Sequence, residues 1–559
     1  MSDTLSPKFK ENVYSTVCYG CGFGCGVYVR ELKTLSVDTH NDCGAPILNI
    51  DFRKPSPVNE GKLCRFGVNL AKTYCPAVSK VKGKAVDINE AVAQAAEILK
   101  KADPSKTAFL SVGGTTNEEH LAFMKLGEKL SVPVSTGMTG VFKDLGKLHA
   151  YTGRGTTYDD VASAKKIYLL IDPYIQYPLL VRRLVHAKNK GAEIISFGLK
   201  ELPIAAQNVF VAPETSLYDV KEFAPDEETV IISDLTPYTF SRRLAETIEI
   251  AGGKSKFLFM RPFMNAAGAG YLSKHTVQQS FDDIVSKMET GDLKVLVCLD
   301  SDLTDICFND GIKESFKNLD ALIVLASRAT AVCDLADVVI ATEPFYKKKG
   351  SVMNVEGRLM QISTDAGETL FAGFNALSGL LTALGGTALD FDEIHKEVIS
   401  TLGVTEDEFK INVHERKKSP EIKKISDRLP ELSALSEAAA PDSYMSDSAK
   451  EIEGAVEAKH VYIPTPFLWN GIPDNNNYVE LSRNQIKESA LMKGFTADIT
   501  CACGEIKKTS RFKVSSMMDG YLISTRKQPF AKGPVTSVTI RRSPTKPNDP
   551  EIKECTIPQ

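Results

Sequence analysis

Between about residues 105 and 385, short continuous apolar runs alternate with stretches whose apolar positions recur every three to four residues. The runs are 107–112, 165–171, 192–197, 229–234, 256–260, 294–299, 321–326 and 337–341. Segments 118–130 and 177–191, lying between such runs, carry the helical pattern. Strands buried on both faces are unbroken Val/Ile/Leu runs, and helices form their crossovers. The pattern therefore predicts an α/β fold of doubly wound parallel units. A helix is also expected over 88–102, with Asp87 as its N-cap. The stretches 165–173 and 293–302 each read as a strand ending at an aspartate, Asp172 and Asp300, followed by a helix. This weak echo predicts two related βαβ units whose strand ends face a shared crevice.

The flanks differ. Residues 1–80 are rich in Cys and Gly, with a short strand signal at 27–29. Residues 404–460 are charged and punctuated by Pro and Ser, which predicts an exposed connection with one helix near 430–440. Beyond it, 495–514 holds two alternating runs around Gly504, and 517–525 adds a strand after an Asp-Gly turn. A small β-barrel or sandwich is expected there. The expected domains are a cluster module (1–80), an α/β body (81–395), a charged linker (396–460) and a partial β-barrel (461–559).

Composition removes several classes. With 67 basic and 71 acidic residues, net charge −4, the chain lacks the excess of basic residues expected of a general nucleic-acid binder. No run of 18 uncharged apolar residues occurs, so no transmembrane segment is expected. The N-terminal residues lack an export signal, which places the expected location in the cytoplasm. Six of the twelve cysteines fall within the first 75 residues, a concentration that points to a bound centre rather than to a disulfide framework.

Cys18-x2-Cys21-x3-Cys25 is followed by Cys64. Four thiolates supply one ligand per iron of a [4Fe–4S] cluster. The close spacing lets one loop wrap three corners, with Gly20, Gly22, Gly24 and Gly26 permitting its bends. A structural zinc site also takes four Cys, but zinc knuckles favour two C-x2-C pairs and Cys64 has no such neighbour. Cys43 and Cys75 could stand in for Cys64 and are otherwise expected to be free thiols. Phe23 and Leu63 are expected to bury the cluster.

The pattern C-x2-C-x3-C with N-x-G-x-L-C over Asn59–Cys64 resembles the N-terminus of molybdopterin-dependent oxidoreductases. That superfamily includes formate dehydrogenase catalytic subunits and the large iron–sulfur subunit of complex I. Stretches 115–120 (TTNEEH), 153–173 and 335–361 (ending in GSVMNVEGRLMQ) resemble further family segments, and 480–525 resembles part of its C-terminal barrel. The resemblance implies a cluster module, paired α/β units and a barrel.

Three departures stand against a family-type catalytic site. The loop 131–146, where the family places its metal-ligating residue, holds no Cys; Ser135 and Asp144, the candidates there, are expected to be structural. The strand ends carry Asp172 and Asp300–Ser301–Asp302 in place of Gly-rich ends, and these acids are expected to cap helices. Where the family carries a Lys two residues after the fourth cysteine, this chain has Phe66, with Arg65 before it; a packed Phe and a surface Arg are expected. The resemblance with these losses implies an iron–sulfur electron-transfer subunit served by other redox subunits as donor and acceptor. A molybdenum or tungsten pterin is the disfavoured further cofactor, and no catalytic residue is assigned. The alternatives are an active Mo/W enzyme such as a formate dehydrogenase alpha subunit, and a non-redox scaffold.

The remaining chemistry-bearing residues are expected to be structural. Cys501 and Cys503 share a strand face, and Cys298, Cys307 and Cys333 suit a core. His120, His149 and His186 suit exposed or capping positions. Lys347–Lys349 suit a solvated turn, and the glycines of 266–272 lack a phosphate-loop pattern.

Overall fold

The computed structural model describes residues 13–31, 48–70, 74–137, 156–239, 241–252, 254–274, 276, 279–308, 311–362, 371–404, 452–472, 478–491, 496–501, 506–509, 512–528, 531 and 533–543. Cys43, Asp144, His149, Cys503, Gly504 and the 430–440 helix lie outside them.

In chain order the strands of the first three modules are β1 (Val13–Val17), β2 (Gly26–Glu31), β3 (Leu48–Phe52), β4 (Lys80–Val81), β5 (Lys84–Ala85), β6 (Thr107–Leu110), β7 (Val134–Ser135), β8 (Lys166–Leu169), β9 (Glu193–Gly198), β10 (Gln207–Phe210), β11 (Thr229–Asp234), β12 (Lys256–Met260), β13 (Val295–Leu299), β14 (Ala321–Ala326) and β15 (Val338–Ala341). All eight apolar runs are strands. β1–β2–β3 form a small antiparallel sheet. β8 to β12 form a parallel sheet in the order β10-β9-β8-β11-β12. The second large sheet runs β5-β4-β15-β14-β13-β6-β7, parallel except for the β4–β5 hairpin at its edge.

Asp87 caps the Ile88–Lys101 helix by accepting from the Asn89 amide, as expected. Asn117–Leu130 is a helix that buries most of its length, its polar first turn included. β16 (Gly350–Met353) and β17 (Leu359–Ile362) make a hairpin against it.

The C-terminal sheet has seven strands, six of them within the expected barrel region. β18 (Val456–Tyr462), β19 (Val479–Leu481), β20 (Ala497–Cys501), β21 (Ile506–Thr509), β22 (Phe512–Val514), β23 (Tyr521–Ser524) and β24 (Val535–Arg542) pair in the order β21-β20-β24-β18-β23-β19-β22. β18 starts inside the stretch expected to be linker. It alternates Ala458, His460 and Tyr462 inward, and its partners β23 and β24 lie more than 60 residues on in the chain. Local composition carries no trace of such a pairing. No helix among the described residues is long and apolar enough to cross a membrane.

One apolar core joins the N-terminal module to the five-stranded sheet. It runs from Cys18, Cys21, Phe23 and Cys25 through Tyr158 and Tyr177 to Ile167, Leu169, Ile194 and Ile232. The cysteine loop is therefore docked on a rigid support.

Candidate metal centre

The loop from Cys18 to Cys25 turns between β1 and β2, closed by a Cys18 N–H to Cys25 C=O bond of 2.8 Å. Cys64 arrives from the segment after β3. Cys18, Cys21, Cys25 and Cys64 line one pocket with Phe23, Leu63, Gly67, Tyr177, Pro178, Leu179 and Phe467. The first three cysteines are buried and Cys64 is half-buried. None of the lining residues is charged.

Burial first, and the neighbouring thiols next, push Cys18 up to about 12 and hold Cys21 and Cys25 well above the ordinary thiol range. Burial raises Cys64 as well. Four mutually opposed thiols become thiolates only beside strong positive charge, which no lining residue supplies. Two backbone amides already aim at sulfur: Gly20 N–H to Cys18 Sγ and Gly67 N–H to Cys64 Sγ, both 3.4 Å. A lone zinc draws four sulfurs to within about 2.3 Å of one point. Among the described residues no set of three or more His, Cys, Asp or Glu is gathered to hold a single ion. Four thiols lining one pocket could ligate a cubane or a single ion.

Three side chains outside the cysteine motif hold this loop. Asn59, from the N-x-G-x-L-C segment, accepts from the Gly26 amide (2.9 Å) and donates to the Gly26 and Lys62 carbonyls (3.0 and 2.8 Å). Tyr158 stacks on Phe23 at 4.1 Å and donates its hydroxyl to the Phe23 carbonyl at 2.8 Å. Asn354, from the N-x-E-G-R segment, donates to the same carbonyl at 3.2 Å, and Glu356 accepts from the Tyr158 amide. Gly24 has φ +85°, and a Cβ there would stand 2.6 Å from the Asn354 Cβ, so only glycine fits. The two motifs were visible in the sequence, but their buttressing role was not.

Phe66 is buried and stacks on Phe467 at 3.6 Å, while Arg65 is exposed above its ring, both as expected. Cys75 is disulfide-bonded, which overturns its expected free thiol and removes it as a substitute ligand. Cys501 is also disulfide-bonded and buried. Cys298, Cys307 and Cys333 are buried in the core.

The two aspartate-ended strands differ from expectation. β8 and β13 belong to different sheets, and each is the strand beside its sheet's topological switch point, so there are two crevices instead of one. The first is a cavity of about 150 Å³ at the carboxyl ends of β8, β9 and β11, closed by Val461–Pro464 of the C-terminal sheet. Asp172 caps the following helix through the Tyr174 amide, as expected, and also pairs with Lys200 at 3.0 Å. Lys200 reaches Glu480 of β19 at 3.2 Å as well. Burial raises Asp234, in the same cavity, to about 6. The second crevice is about 40 Å³, lined by Asp300, Asp302, Arg328, Trp469 and Asn470 among others. Asp302 caps its helix. Asp300 does not: with φ +41° it turns back to accept from the Ser327 amide at 2.7 Å. Ser135 is buried and accepts from the Gly137 amide, a structural role.

A cavity of roughly 150 Å³ holds a benzene-sized guest. In the first crevice Asp172, Lys200 and Glu480 are engaged with one another. Asp172 and Asp300, the acids at the two strand ends, are thus each held by another part of the chain.

A third region corrects two expectations. Lys348 is fully buried, paired with Glu119 at 2.6 Å and Asp300 at 3.3 Å, not solvated. Lys347 pairs with Glu31 at 2.6 Å, and Lys349 lies over the Phe371 and Phe391 rings. His120 is fully buried between Ser111 Oγ and Ser273 Oγ, each 2.9 Å away, and burial lowers it to about 4. Glu118 is buried too, accepting from the Ser351 amide and facing His395 at 2.7 Å. His186 is exposed, as expected, and 266–272 is a helix with no phosphate loop.

Residues 11–74 match the molybdopterin oxidoreductase Fe4S4 domain. An F420-dependent formate dehydrogenase 1 subunit alpha of Methanococcus maripaludis is 27% identical over 216 residues, 34% of this chain and 29% of that protein. An F420-dependent formate dehydrogenase subunit alpha of Methanocaldococcus jannaschii is 26% identical over 208 residues, 33% of this chain and 28% of that protein. The match thus spans under a third of these relatives' length. The solved structure of acetylene hydratase from Pelobacter acetylenicus shares the fold, with TM-score 0.55, 11% identity, 94% of this chain and all of the other covered. Over residues 11–74 the chain thus matches the molybdopterin oxidoreductase Fe4S4 domain, and a third of it resembles formate dehydrogenase alpha subunits on a fold shared with acetylene hydratase.

Proposed function

We propose that the chain is an iron–sulfur electron-transfer subunit of a cytoplasmic oxidoreductase complex, in which Cys18, Cys21, Cys25 and Cys64 ligate one [4Fe–4S] cluster. The supporting observation is the uncharged pocket lined by these four thiols from two separate segments. A cubane supplies the positive iron that four such thiols need to ionise, and it stores a single electron. The chain's own groups bind it, exclude water with Phe23, Tyr177 and Phe467, and donate amide hydrogens to two of its sulfurs. A single centre accepts one electron from one partner and passes it to another, so the reading requires donor and acceptor subunits. Cys64 is the half-buried ligand, which makes its side the shortest route to a partner.

The names of the relatives favour a second reading, a Mo- or W-pterin enzyme acting on formate. Elemental analysis of anaerobically purified protein for Fe, Mo, W and Zn, with a pterin assay, separates the readings. About four Fe per chain without Mo, W or pterin is the expected result. Stoichiometric Mo or W with pterin would establish the second reading, and zinc without iron would leave only a scaffold.

A further inference from the structure

Two tyrosines stand beside the cysteine loop, both about 1% exposed. Tyr158 spends its hydroxyl on the Phe23 carbonyl. The Tyr177 hydroxyl is equally buried and has no hydrogen-bond partner among the described residues. A buried hydroxyl left so costs about 1–3 kcal/mol, and native proteins rarely keep one without use. Its backbone is pinned at the end of the Pro173–Gln176 helix: the Tyr177 amide donates to Pro173 (3.1 Å) and its carbonyl accepts from Leu180 (2.9 Å). Tyr177 lines the same pocket as the four thiols. The titratable groups within electrostatic reach of the hydroxyl are Asp234 first, then Cys21 and Arg261.

We infer that Tyr177 donates its hydroxyl hydrogen to a sulfur of the bound cluster or to the Cys21 thiolate, and so sets the cluster's reduction potential. This rests on the cubane reading given above. Sulfur in a cubane and in its thiolate ligands carries negative charge, which grows when an electron is added. A donor aimed at that sulfur stabilises the reduced form more than the oxidised one and raises the potential. Tyr177 is thus a positioning residue for the electron. It would add a side-chain donor to the backbone amides, Gly20 and Gly67 among them, that already aim at sulfur in the site. Its ring keeps water from the pocket whether or not the hydroxyl is present.

The test is the midpoint potential of the full-length, anaerobically reconstituted protein, titrated by EPR, in wild type and Tyr177→Phe. The variant keeps the ring and loses a hydroxyl that the protein itself does not use, so it is expected to fold and to bind the same iron. At the wild-type midpoint the reduced-to-oxidised ratio should fall about tenfold, a shift of about 59 mV for one electron. A second measurement needs no variant for its first half. Pulsed EPR of the reduced wild type in D2O should show an exchangeable deuteron coupled to the cluster, and Tyr177→Phe should lose that coupling. An unchanged midpoint and unchanged coupling in Tyr177→Phe would overturn the inference while leaving the cluster reading intact. A wild-type protein that takes up no cubane would sink both.

Discussion

The cysteine pocket and the network around Lys348 are both buried, both carried by family-like motifs, and opposite in charge logic. The pocket gathers four soft donors, an uncharged lining and an unpartnered tyrosine hydroxyl. The network gathers Lys348, Glu119 and Asp300 within 3.3 Å, with Glu343 close by, and answers each charge with a counter-charge or a hydrogen bond. A site that balances itself has no chemistry left to offer a ligand. A site that gathers ionisable donors without a counter-charge would be completed by a cation, and in the proposed reading soft sulfur donors suit iron or zinc. This contrast, more than motif likeness, separates binding from scaffolding in the chain.

The sharpest way to break the comparison is to remove one donor. Cys64→Ser should abolish the full cubane signal; Cys75 is disulfide-bonded and unable to replace it, which leaves Cys43 as the substitute to test. Iron content and EPR on the reconstituted protein read this. Retention of about four Fe per chain, the complement of one cubane, would move the fourth ligand elsewhere.

Removing the cation of the other region should cost stability and leave the cluster chemistry alone. Lys348→Met strands Glu119 and Asp300 as buried, unbalanced carboxylates, a loss of about 3–5 kcal/mol. Denaturant unfolding measures it. The folded fraction should still bind its iron; loss of cluster with intact fold would show that the two regions are one site.

Glu343 sharpens the same region through pH. Burial first, then the Glu119 charge, push its carboxyl up to about 7 from the ordinary 4.5. The folded protein therefore holds a proton that the unfolded chain has released between about pH 4.5 and 7. This contribution to stability is full below 4.5, falls as pH rises, and levels off above 7. Glu343→Gln keeps the acceptor for the Gly373 amide and removes the titration. The variant should be more stable than wild type at pH 8, by on the order of 3 kcal/mol, and equal to it near pH 4.5. His120, lowered to about 4, gives wild type and variant the same opposite slope between about 4 and 6.5, so it cancels in the difference. Thermal melts of the pair across pH 4.5–8 check this, and parallel curves would refute it.

These regions also show what a sequence discloses. The eight apolar runs became strands because a strand buried on both faces must be apolar throughout, a local requirement. The cysteine spacing was equally legible, since one short loop carries three of the four thiols. Lys347–Lys349 looked solvated because the carboxylates that hold Lys348 come from residues 119 and 300. His120 misled for the same reason: its partners are Ser111 and Ser273. The shared crevice failed because the echo between Asp172 and Asp300 reports equivalent places in two sheets, not neighbours in one. A burial pattern is written along the chain; a partner three hundred residues away is not.

The smallest expected effect concerns the join between the cysteine loop and the α/β body. The Phe23 carbonyl accepts from both Tyr158 and Asn354, at 2.8 and 3.2 Å. Tyr158→Phe removes one donor and leaves the carbonyl satisfied by the other, and the stack on Phe23 survives. The loss should therefore be about 1 kcal/mol, the net worth of one hydrogen bond, without the penalty of an orphaned acceptor. Loss of iron to a chelator should quicken only modestly, because Asn59 still clamps the far side of the loop through Gly26. Chelator-competition kinetics with a melting curve on the same sample read both quantities. A loss as large as that of Lys348→Met would mean that the loop, like the charge network, hangs on a single contact, and the contrast between the two regions would then fail at its mechanical end.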